Sequence, residues 1–364
     1  MPTHTAIAAL AKGQLDAIQV ETEKPGAGQV RIQVAYASMI AFDTYVTDRG
    51  HAVAEYPVIL GLNVSGTVAE VGAGVPSLTA GDRVIGFSVF GHGRKDALKG
   101  TMQEFVVLPS YLCAKIPDTL ALEAAATIPD NFITAFYTLF DQFSLPVPES
   151  FPAPSPPPNH DRPILIYGAG ATGGQYALQL LCAAGYTNVV ATASAKHHAL
   201  LRSLGAKHVF DYRSSTLAAD IARAVGGAVE LAMDAITAEG TIARIAQVLS
   251  PRGTVALLLP IKEGDAVAVG DAPMHWEIRA GRNPFSAETK IAYVRTFLYA
   301  NNEFLKENLM PKILPQLLAA GIIQPNRTRL LDQGTFKERV AAGLDLLRNN
   351  QVSGEKIIVK VALD

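Results

Sequence analysis

The stretch PILIYGAGATGG, residues 163–174, is the part of this chain that decides its fold. A short apolar run ends in a glycine turn, and the residues that follow, QYALQLL, have the apolar spacing of a helix. Gly168, Gly170 and Gly173 occupy the three glycine positions of the G-x-G-x-x-G pattern. Strand, glycine turn and helix in this order are typical of the phosphate-binding start of a doubly wound nucleotide domain. We therefore expect a dinucleotide to bind at this turn.

Each glycine of the turn has its own predicted role. Gly168 allows the tight turn, Gly170 removes a side chain from the path of a phosphate, and Gly173 lets helix and strand pack closely. The backbone N–H groups that open the helix would face the pyrophosphate, and they belong to Ala171, Thr172, Gly173 and Gly174. The alternative is a glycine turn without a ligand, which the strand before it and the helix after it disfavour.

The chain after residue 163 alternates between strand and helix patterns. Predicted strands cover residues 188–193, 207–210, 230–235 and 254–259, and predicted helices cover residues 197–204 and 242–249. Repeated units of this kind with apolar strands indicate a parallel, doubly wound sheet with helices on both faces. Residues 287–320 are predicted to be mostly helical, and residues 336–348 to form another helix.

The part of the chain before the glycine turn has a different rhythm. Residues 5–120 contain many short strand patterns separated by glycine-rich turns, which favour a partly closed β-barrel or sandwich. The last apolar run, residues 356–361, has no place in the parallel sheet, so we expect it to return to the N-terminal domain. The predicted domains are therefore residues 1–130 completed by 301–364, and residues 131–300. Residues 146–158 carry seven prolines and are predicted to be a surface loop or linker.

Composition excludes several classes of protein. The chain has 364 residues, 49% of them hydrophobic, and a formal net charge of −2, which argues against nucleic-acid binding. No apolar run reaches the length of a membrane span. Only Cys113 and Cys182 are present, too few for a disulfide framework, and the N-terminus lacks the pattern of a signal peptide. A reduced cytosolic protein is expected.

The residues after the second predicted strand indicate which cofactor binds. No acidic residue lies between Gly173 and Asp211, although an enzyme that prefers NAD places a carboxylate there for the ribose. Ser194 and Lys196 offer a hydroxyl and an ammonium to a 2′-phosphate, with Tyr212 reaching in from the third strand. NADPH is therefore the expected cofactor. The alternative is that Ser194 caps a helix and Lys196 is only solvated. Two further predicted cofactor contacts are His197 and Leu259.

Several stretches resemble the medium-chain dehydrogenase/reductase superfamily. They are YPVILG at residues 56–61, EVGAGV at 70–75, GDRV at 81–84, AAATIP at 124–129 and the glycine turn itself. The resemblance covers nearly the whole chain. It implies a GroES-like catalytic β-barrel domain completed by the C-terminal segment, a Rossmann nucleotide domain, and an active site in the cleft between domains.

The resemblance also raises the question of zinc, because many members of that superfamily are zinc alcohol dehydrogenases. Their pattern needs a cysteine where this chain has Ile40, Gly-His-Glu where it has Gly61-Leu62-Asn63, and another ligand near Asp130. Two cysteines in total also cannot build their four-cysteine lobe. Zinc is therefore not expected.

The zinc-free branch of the superfamily includes quinone oxidoreductases and enoyl reductases. DTYV at residues 43–46 resembles the former, whereas the proline-rich insert and VSGEK at residues 352–356 resemble fungal enoyl reductases. Some of those act in trans on chains carried by polyketide synthases, which suggests such a synthase as a partner. One departure is Tyr45, which stands where relatives often have lysine.

These resemblances assign roles to residues outside the nucleotide domain. Tyr45 is the candidate hydrogen-bond or proton donor, although packing of its ring against the nicotinamide or the cleft wall is an equal alternative. Asp43 and Thr44 would shape the loop that faces the cofactor. Thr134 is the candidate contact for the nicotinamide ribose or carboxamide, and the alternative is a hydroxyl bond within its own helix. Asn63 is a candidate for orienting the substrate. Val352 and Ser353 are candidates for closing over the nicotinamide.

The predicted activity is hydride transfer from NADPH to an activated C=C bond of an enoyl thioester or enone, or to a quinone, without a metal. The alternatives are a sensor or scaffold that binds NADPH without turnover, and a carbonyl reductase, which is disfavoured without a Lewis acid. Loops near residues 88–100 and 265–290 are expected to choose the substrate. The chain is expected to be a monomer or a homodimer, the dimer joined through a sixth strand near residues 256–259.

Overall fold

The computed structural model describes residues 2–89, 97–265 and 272–361. Its two largest β-sheets have seven and six strands and share no strand. The chain divides into two compact units. We call Met1–Asp130 with Phe297–Asp364 the β unit, and Asn131–Thr296 the αβ unit. Within the loops predicted to choose the substrate, residues 90–96 and 266–271 lie outside the described residues.

The strands and helices have the following bounds. The strands in chain order are β1 (Thr3–Ala11), β2 (Gln14–Glu21), β3 (Gln29–Met39), β4 (Val58–Ile59), β5 (Asn63–Val71), β6 (Arg83–Phe87), β7 (Phe105–Pro109), β8 (Cys113–Lys115), β9 (Ile164–Tyr167), β10 (Val189–Ala193), β11 (His208–Asp211), β12 (Val229–Asp234), β13 (Leu249–Leu258), β14 (Ile261–Lys262), β15 (Met274–His275), β16 (Lys290–Val294), β17 (Arg327–Leu331) and β18 (Glu355–Lys360). The α-helices are α1 (Ala41–Arg49), α2 (Leu122–Ala125), α3 (Pro129–Phe136), α4 (Thr172–Ala183), α5 (His198–Ser203), α6 (Leu217–Val225), α7 (Glu239–Ala246), α8 (Glu303–Asn308), α9 (Leu314–Ala319) and α10 (Phe336–Arg348).

The β unit contains a three-stranded sheet, β2-β1-β4, and a seven-stranded sheet in which β17-β18-β3-β5-β6-β8 follow one another and β7 also pairs with β3. Strand β18 lies between β17 and β3, with Ile357 opposite Met39. Ile357, Ile358 and Val359 are fully buried, so this apolar strand is stable only inside a sheet. The prediction that the C-terminal strand returns to the N-terminal domain is confirmed.

The αβ unit is built on a six-stranded sheet in the order β11-β10-β9-β12-β13-β16. All of its strand pairs are parallel. This is the usual strand order of a doubly wound nucleotide domain, whose ligands bind at the carboxyl ends of the strands where the order reverses. β9, which leads into the glycine turn, occupies that central position, and the predicted fold of this region is confirmed.

One prediction about this region is wrong in part. Residues 287–320 were expected to be mostly helical, and the chain is largely helical from residue 296 to residue 319, but Lys290–Val294 form β16, the edge strand beside β13. The pairing available along β13 outweighs the local helical pattern, because strand formation depends on a neighbouring strand. The sixth strand of the sheet is therefore β16, and residues 256–259, which were expected to supply it, lie at the end of β13.

The proline-rich insert, residues 146–158, contains no helix or strand, as predicted. It packs onto the αβ unit: the Ala153 N–H donates to the Ala183 carbonyl at 2.7 Å, and the Phe151 ring lies 6.2 Å from the Phe140 ring. It is therefore a surface loop of the αβ unit rather than a linker.

A search of the described residues finds no helix that is both long enough and apolar enough to cross a membrane.

Candidate active site

The glycine turn adopts the geometry that a phosphate-binding turn requires. Gly168 has φ +73°, and a Cβ there would lie 2.4 Å from the Ile236 side chain, so only glycine fits. Its N–H donates to the Thr192 hydroxyl at 3.0 Å. A Cβ at Gly170 would lie 3.1 Å from the His197 ring, which packs beneath the turn. Glycines at these two positions therefore keep the mouth of the turn narrow and free of side chains.

The role predicted for Gly173 belongs to Gly174. A Cβ on Gly174 would lie 2.6 Å from the Cα of Ala169, whereas a Cβ on Gly173 would meet no described atom closer than Asn131 at 4.0 Å. Gly174 is therefore the glycine that lets α4 approach β9. Gly173 leaves open space beside the first turn of α4, whose N-cap Ala171 offers no side-chain acceptor. This opening, with the N–H groups of the helix start, fits a pyrophosphate.

Ser194 and Lys196 lie directly after β10, in the turn that leads into α5. The Ser194 side chain makes no capping hydrogen bond, so the alternative role considered for it is not observed. Lys196 is exposed and, within the described residues, has no carboxylate partner. As far as the described part of the chain extends, the hydroxyl and the ammonium are both free to bind an anion at the edge of the nucleotide site.

A carboxylate does stand nearby, at the end of the adjacent strand β11. Asp211 accepts two hydrogen bonds from the Arg213 guanidinium, at 3.0 and 2.8 Å, and these bonds hold its pKa far below the usual range. The Arg213 guanidinium in turn lies over the Tyr212 ring, 5.4 Å from its centre. The charge of Asp211 is thus matched locally, and it does not oppose an anion bound to Lys196.

A cavity of about 180 Å³ opens beside the carboxyl ends of β9 and β11. Its walls include Tyr167, Tyr212, Ser214 and Arg244. Tyr167 is 2% exposed, and burial raises the pKa of its hydroxyl while Arg244 opposes that shift. A cavity of about 150 Å³ accommodates a single aromatic ring, so this one is of the size for the ring system of a nucleotide base. Tyr212 was predicted from the sequence, but Tyr167 and Arg244 were not, because only the fold brings α7 against β9.

A buried lysine supports the strand-to-helix turn opposite the glycines. The Lys262 ammonium donates to the Ile236 carbonyl, and burial lowers its pKa to about 8 while Asp234 opposes the shift. The Asp234 carboxylate accepts the N–H groups of Ile236 and Thr237 at 3.0 and 2.9 Å. Lys262 and Asp234 thereby fix the turn whose Ile236 side chain closes on Gly168. No pattern in the sequence indicated this pair.

In the β unit, Tyr45 lies in the middle of α1. It is 5% exposed, and burial raises its pKa to about 12. The rings of Phe42 and His51 meet the Tyr45 ring edge-on, with centroids 6.2 and 6.4 Å away. Burial also lowers the pKa of His51, and the nearby Arg49 charge adds to this shift. Nothing in the sequence around His51 indicated this contact with Tyr45.

Asp43 and Thr44 stabilise α1 from within. The two Asp43 carboxylate oxygens accept the N–H groups of Ile40 at 2.8 Å and of Gly61 at 2.9 Å, and the Thr44 hydroxyl donates to the Ala41 carbonyl at 2.7 Å. Asp43 is 1% exposed, and burial raises its pKa to about 6. These contacts fix the start of α1 to the loop at Gly61, which is how the two residues shape this region.

Asn63 is fully buried at the start of β5. Its carbonyl oxygen accepts the Asp130 N–H at 2.7 Å, and its amide donates to the Ser38 hydroxyl at 2.7 Å. Both ends of the side chain are thus used within the β unit. This gives Asn63 a structural role within the β unit, and its predicted contact with substrate stays a prediction.

Thr134 lies within α3, which begins at Pro129. Its hydroxyl lies 2.7 Å from the Thr296 hydroxyl, a partner from a distant part of the αβ unit. Its contact with the nicotinamide stays a prediction.

Three further residues were predicted to lie near the nicotinamide. Leu259 follows β13 and is half-buried, Val352 packs against the core of the β unit, and Ser353 is exposed just before β18. Their contacts with a cofactor stay predictions.

Across residues 2–89, 97–265 and 272–361, no three His, Cys, Asp or Glu residues are grouped so that they could hold a metal ion.

A β unit closed by the C-terminal strand and a doubly wound αβ unit with a dinucleotide turn define a dehydrogenase of the medium-chain type. Comparison with known families agrees. Residues 26–118 match the alcohol dehydrogenase GroES-like domain, and residues 174–271 match the family described as zinc-binding dehydrogenase.

Similarity to individual proteins indicates the branch of this class more closely. The chain is 31% identical to a trans-enoyl reductase of Aspergillus japonicus over 92% of its own length and 90% of the relative's. It is 29% identical to the enoyl reductase component of the lovastatin nonaketide synthase of Aspergillus terreus, over 92% of this chain and 89% of that one. A mycobacterial protein solved with NADPH has the same fold, with a TM-score of 0.72 and 21% identity over 98% of this chain and 99% of that chain.

This chain belongs to the medium-chain dehydrogenase/reductase superfamily, in the branch that contains the fungal trans-enoyl reductases. It is an oxidoreductase that uses a nicotinamide cofactor.

Proposed function

We propose that this protein is an NADPH-dependent enoyl reductase, which reduces the C=C bond of α,β-unsaturated thioesters held on the carrier of a polyketide synthase. The observation that carries the proposal is the 31% identity to the trans-enoyl reductase of Aspergillus japonicus, which extends over 92% of the chain. A relative described as a synthase's enoyl reductase component, similar over the same share of the chain, supports the carrier-bound substrate.

The residues at the edge of the nucleotide site support NADPH over NADH. A 2′-phosphate carries negative charge and several acceptor oxygens, and an ammonium beside a hydroxyl binds it through charge-assisted hydrogen bonds. Ser194 and Lys196 supply those two groups, and neither is engaged elsewhere within the described residues. The cavity walled by Tyr167, Tyr212 and Arg244 offers the adjoining place for the adenine ring.

When bound, NADPH would supply a hydride for the β-carbon of the enoyl group. Negative charge then builds on the thioester carbonyl oxygen and needs a hydrogen-bond donor. Tyr45 is our proposed donor. With a pKa of about 12 its hydroxyl stays protonated throughout the neutral range and can donate a hydrogen bond. The same high pKa makes it a poor source of the proton that must reach the α-carbon, because an efficient acid has a pKa near the working pH. Water is therefore the proposed proton source.

The other candidates have supporting roles in this proposal. Asp43 and Asn63 hold the start of α1 and of α3 through their buried hydrogen bonds. Thr134 would bind the ribose or carboxamide of the nicotinamide, and Leu259, Val352 and Ser353 would line its surroundings.

The test is a comparison of substrates with the purified full-length protein. Crotonyl-pantetheine, an α,β-unsaturated ketone and a quinone are each offered with NADPH, and the loss of nicotinamide absorbance is followed. Turnover is expected with crotonyl-pantetheine, with much less for the free ketone. Product analysis should show butyryl-pantetheine in the amount of NADPH consumed.

Two other outcomes would replace the proposal. Turnover of the quinone alone would make the protein a quinone reductase, the alternative within the same superfamily. If none of the three compounds is reduced but a fluorescence titration shows tight NADPH binding, the result would favour an NADPH-binding sensor. A synthase carrier loaded with the crotonyl group must be included before that conclusion, since it is the proposed natural form of the substrate.

A further inference from the structure

Three charged side chains are buried together in the β unit, although they are far apart in sequence. Asp43, Asp130 and Lys356 are 1%, 4% and 1% exposed. Charged side chains are almost never buried so completely unless they are paired, because removal from water costs several kcal/mol for each ion. The cluster therefore has a function that offsets this cost, either in stability or in the placement of its neighbours.

Lys356 is the cation of the cluster. Its ammonium donates to the Asp130 carboxylate and to the Thr127 carbonyl, the latter at 3.4 Å, and its charge also favours the ionised form of Asp43. The ammonium thus binds the Asp130 carboxylate directly, and Asp43 lies within reach of its charge. Without it the buried Asp130 carboxylate would lose the cation that compensates its charge.

Each member of the cluster anchors a different segment. Asp43 lies in the first turn of α1, Asp130 in the first turn of α3, and Lys356 in β18. α1 carries Tyr45, α3 carries Thr134, and β18 begins two residues after Ser353. The cluster thus involves three of the segments that bear proposed catalytic or nicotinamide-contacting residues.

Two hydrogen bonds extend the cluster to a fourth segment, the start of β5 and the loop before it. The Gly61 N–H donates to the Asp43 carboxylate at 2.9 Å, and the Asn63 carbonyl oxygen accepts the Asp130 N–H at 2.7 Å. Asp43 and Asp130 are therefore both tied to one short stretch of chain, residues 61–63. A change in the cluster would reach α1 and α3 together.

We propose that Lys356 is a positioning residue, whose buried ammonium ties Asp130 at the start of α3 to β18. The hydrogen bonds of Asp130 and Asp43 to residues 61–63 extend this tie to the start of α1, and the network so sets the placement of Tyr45 and Thr134 for the reaction. The inference rests on the proposed function for its catalytic consequence. Lys356 itself touches neither substrate nor cofactor in this role.

The test uses chemical rescue in the full-length protein. Lys356→Ala removes three methylenes and the ammonium, which is the shape of a propylammonium ion. The variant is expected to melt about 6–20 °C below the wild type, because breaking a buried pair is strongly destabilising. Propylammonium should raise both its melting temperature and its turnover of crotonyl-pantetheine, whereas 1-propanol of similar size should raise neither. Lys360→Ala, in the same strand but half-exposed, is the matched control.

A second variant separates placement from stability and covers the case in which Lys356→Ala does not fold. Lys356→Met combined with Asp130→Asn removes the charge pair without leaving an unpaired carboxylate there. We expect it to recover most of the lost melting temperature but to keep kcat at least about tenfold below the wild type, with the dissociation constant for NADPH changed less than about threefold. A tenfold loss of kcat corresponds to about 1.4 kcal/mol in the activation barrier.

Wild-type kcat in the double variant would overturn the proposal, since the cluster would then serve stability alone. A Lys356→Ala variant with wild-type stability, or one that propylammonium leaves unchanged, would overturn it as well. The melting temperatures need no turnover, so they still test whether the buried ammonium links these segments if the wild type reduces no enoyl thioester and the proposed function itself fails.

Discussion

Single residues at the edge of the nucleotide site decide which nicotinamide cofactor the proposal favours. Lys196 is exposed and is not paired with any carboxylate of the described residues, so its charge remains available to a ligand. Asp211, at the end of the adjacent strand, is already bound by Arg213. Specificity therefore depends on one ammonium and one hydroxyl rather than on the glycine turn, which NADH and NADPH would use equally.

We expect Lys196→Ala to weaken NADPH binding about 10-fold to 100-fold, the loss typical of a hydrogen bond to a charged group. NADH binding should change less than about twofold, because NADH has no 2′-phosphate. Dissociation constants from nicotinamide fluorescence would check this, with Lys207→Ala as the control because Lys207 is exposed at the opposite end of β11. If Lys196→Ala weakened the binding of NADPH and NADH equally, Lys196 would not be the residue that binds the 2′-phosphate.

Asp43 gives the stability of the protein a defined pH dependence. Burial raises its pKa from 3.8 to about 6, so the folded state binds a proton more tightly than the unfolded chain. The stabilisation from that proton is complete below pH 3.8 and is lost as the pH rises through about 6.

The free energy of unfolding of the wild type, relative to Asp43→Asn, should therefore fall by about 1 kcal/mol between about pH 5 and about pH 7.5. Urea unfolding at both pH values measures the difference. Asp118→Asn is the control, because the Asp118 side chain is 97% exposed. Its free energy of unfolding should change with pH as that of the wild type does. If the free energy of unfolding of Asp43→Asn shows the same change with pH as that of the wild type, the raised pKa of Asp43 is refuted.

At the scale of elements, the junction of β9 and α4 depends on two adjacent glycines with different surroundings. Gly174 faces the Ala169 backbone, and Gly173 faces open space among the described residues. A backbone atom cannot move aside as a flexible side chain can, so a methyl group at the two positions has different consequences.

Gly174→Ala should destabilise the protein by about 1–3 kcal/mol, the usual cost of overpacking. Gly173→Ala should leave the melting temperature nearly unchanged, or raise it through better helix propensity, but weaken NADPH binding by crowding the pyrophosphate. Thermal melts and NADPH titrations of the two variants would show that Gly174→Ala lowers stability and Gly173→Ala weakens cofactor binding. Destabilisation by Gly173→Ala with no effect of Gly174→Ala would reverse the two roles.

The whole molecule depends on a strand from the C-terminal part of the chain. β18 lies between β17 and β3, so the β unit cannot close its seven-stranded sheet without residues 355–360. The fully buried Ile357 lies in this contact, opposite Met39.

Ile357→Asp should therefore prevent stable folding of the β unit, because it buries an unpaired charge. Limited proteolysis with mass analysis should show new cleavage sites within residues 1–130, where the wild type and the half-buried control Glu355→Asp are protected. Cleavage confined to the αβ unit would contradict this account.

The sequence predicted the local features well and, apart from the return of the C-terminal strand to the N-terminal domain, the long-range ones poorly. The glycine turn, the alternation of strand and helix and the helix at residues 336–348 each follow from short-range patterns of apolar residues, turns and caps. Strand β16 was missed because its five residues become a strand only beside β13. Lys262, Arg244 and His51 were missed for the same kind of reason, since each acquires its role from neighbours that only the fold brings to it.

The sequence by itself determined the class of fold, the dinucleotide turn and the residues from which a preference for NADPH is inferred, because glycine spacing, strand periodicity and the absence of acids between residues 173 and 211 are all local properties. Only the tertiary structure decided that Gly174 rather than Gly173 makes the close contact, that Asn63 is used inside the β unit, and that Asp43, Asp130 and Lys356 share one buried site. Burial and electrostatic pairing depend on distance in space, and the sequence of a segment does not contain that distance.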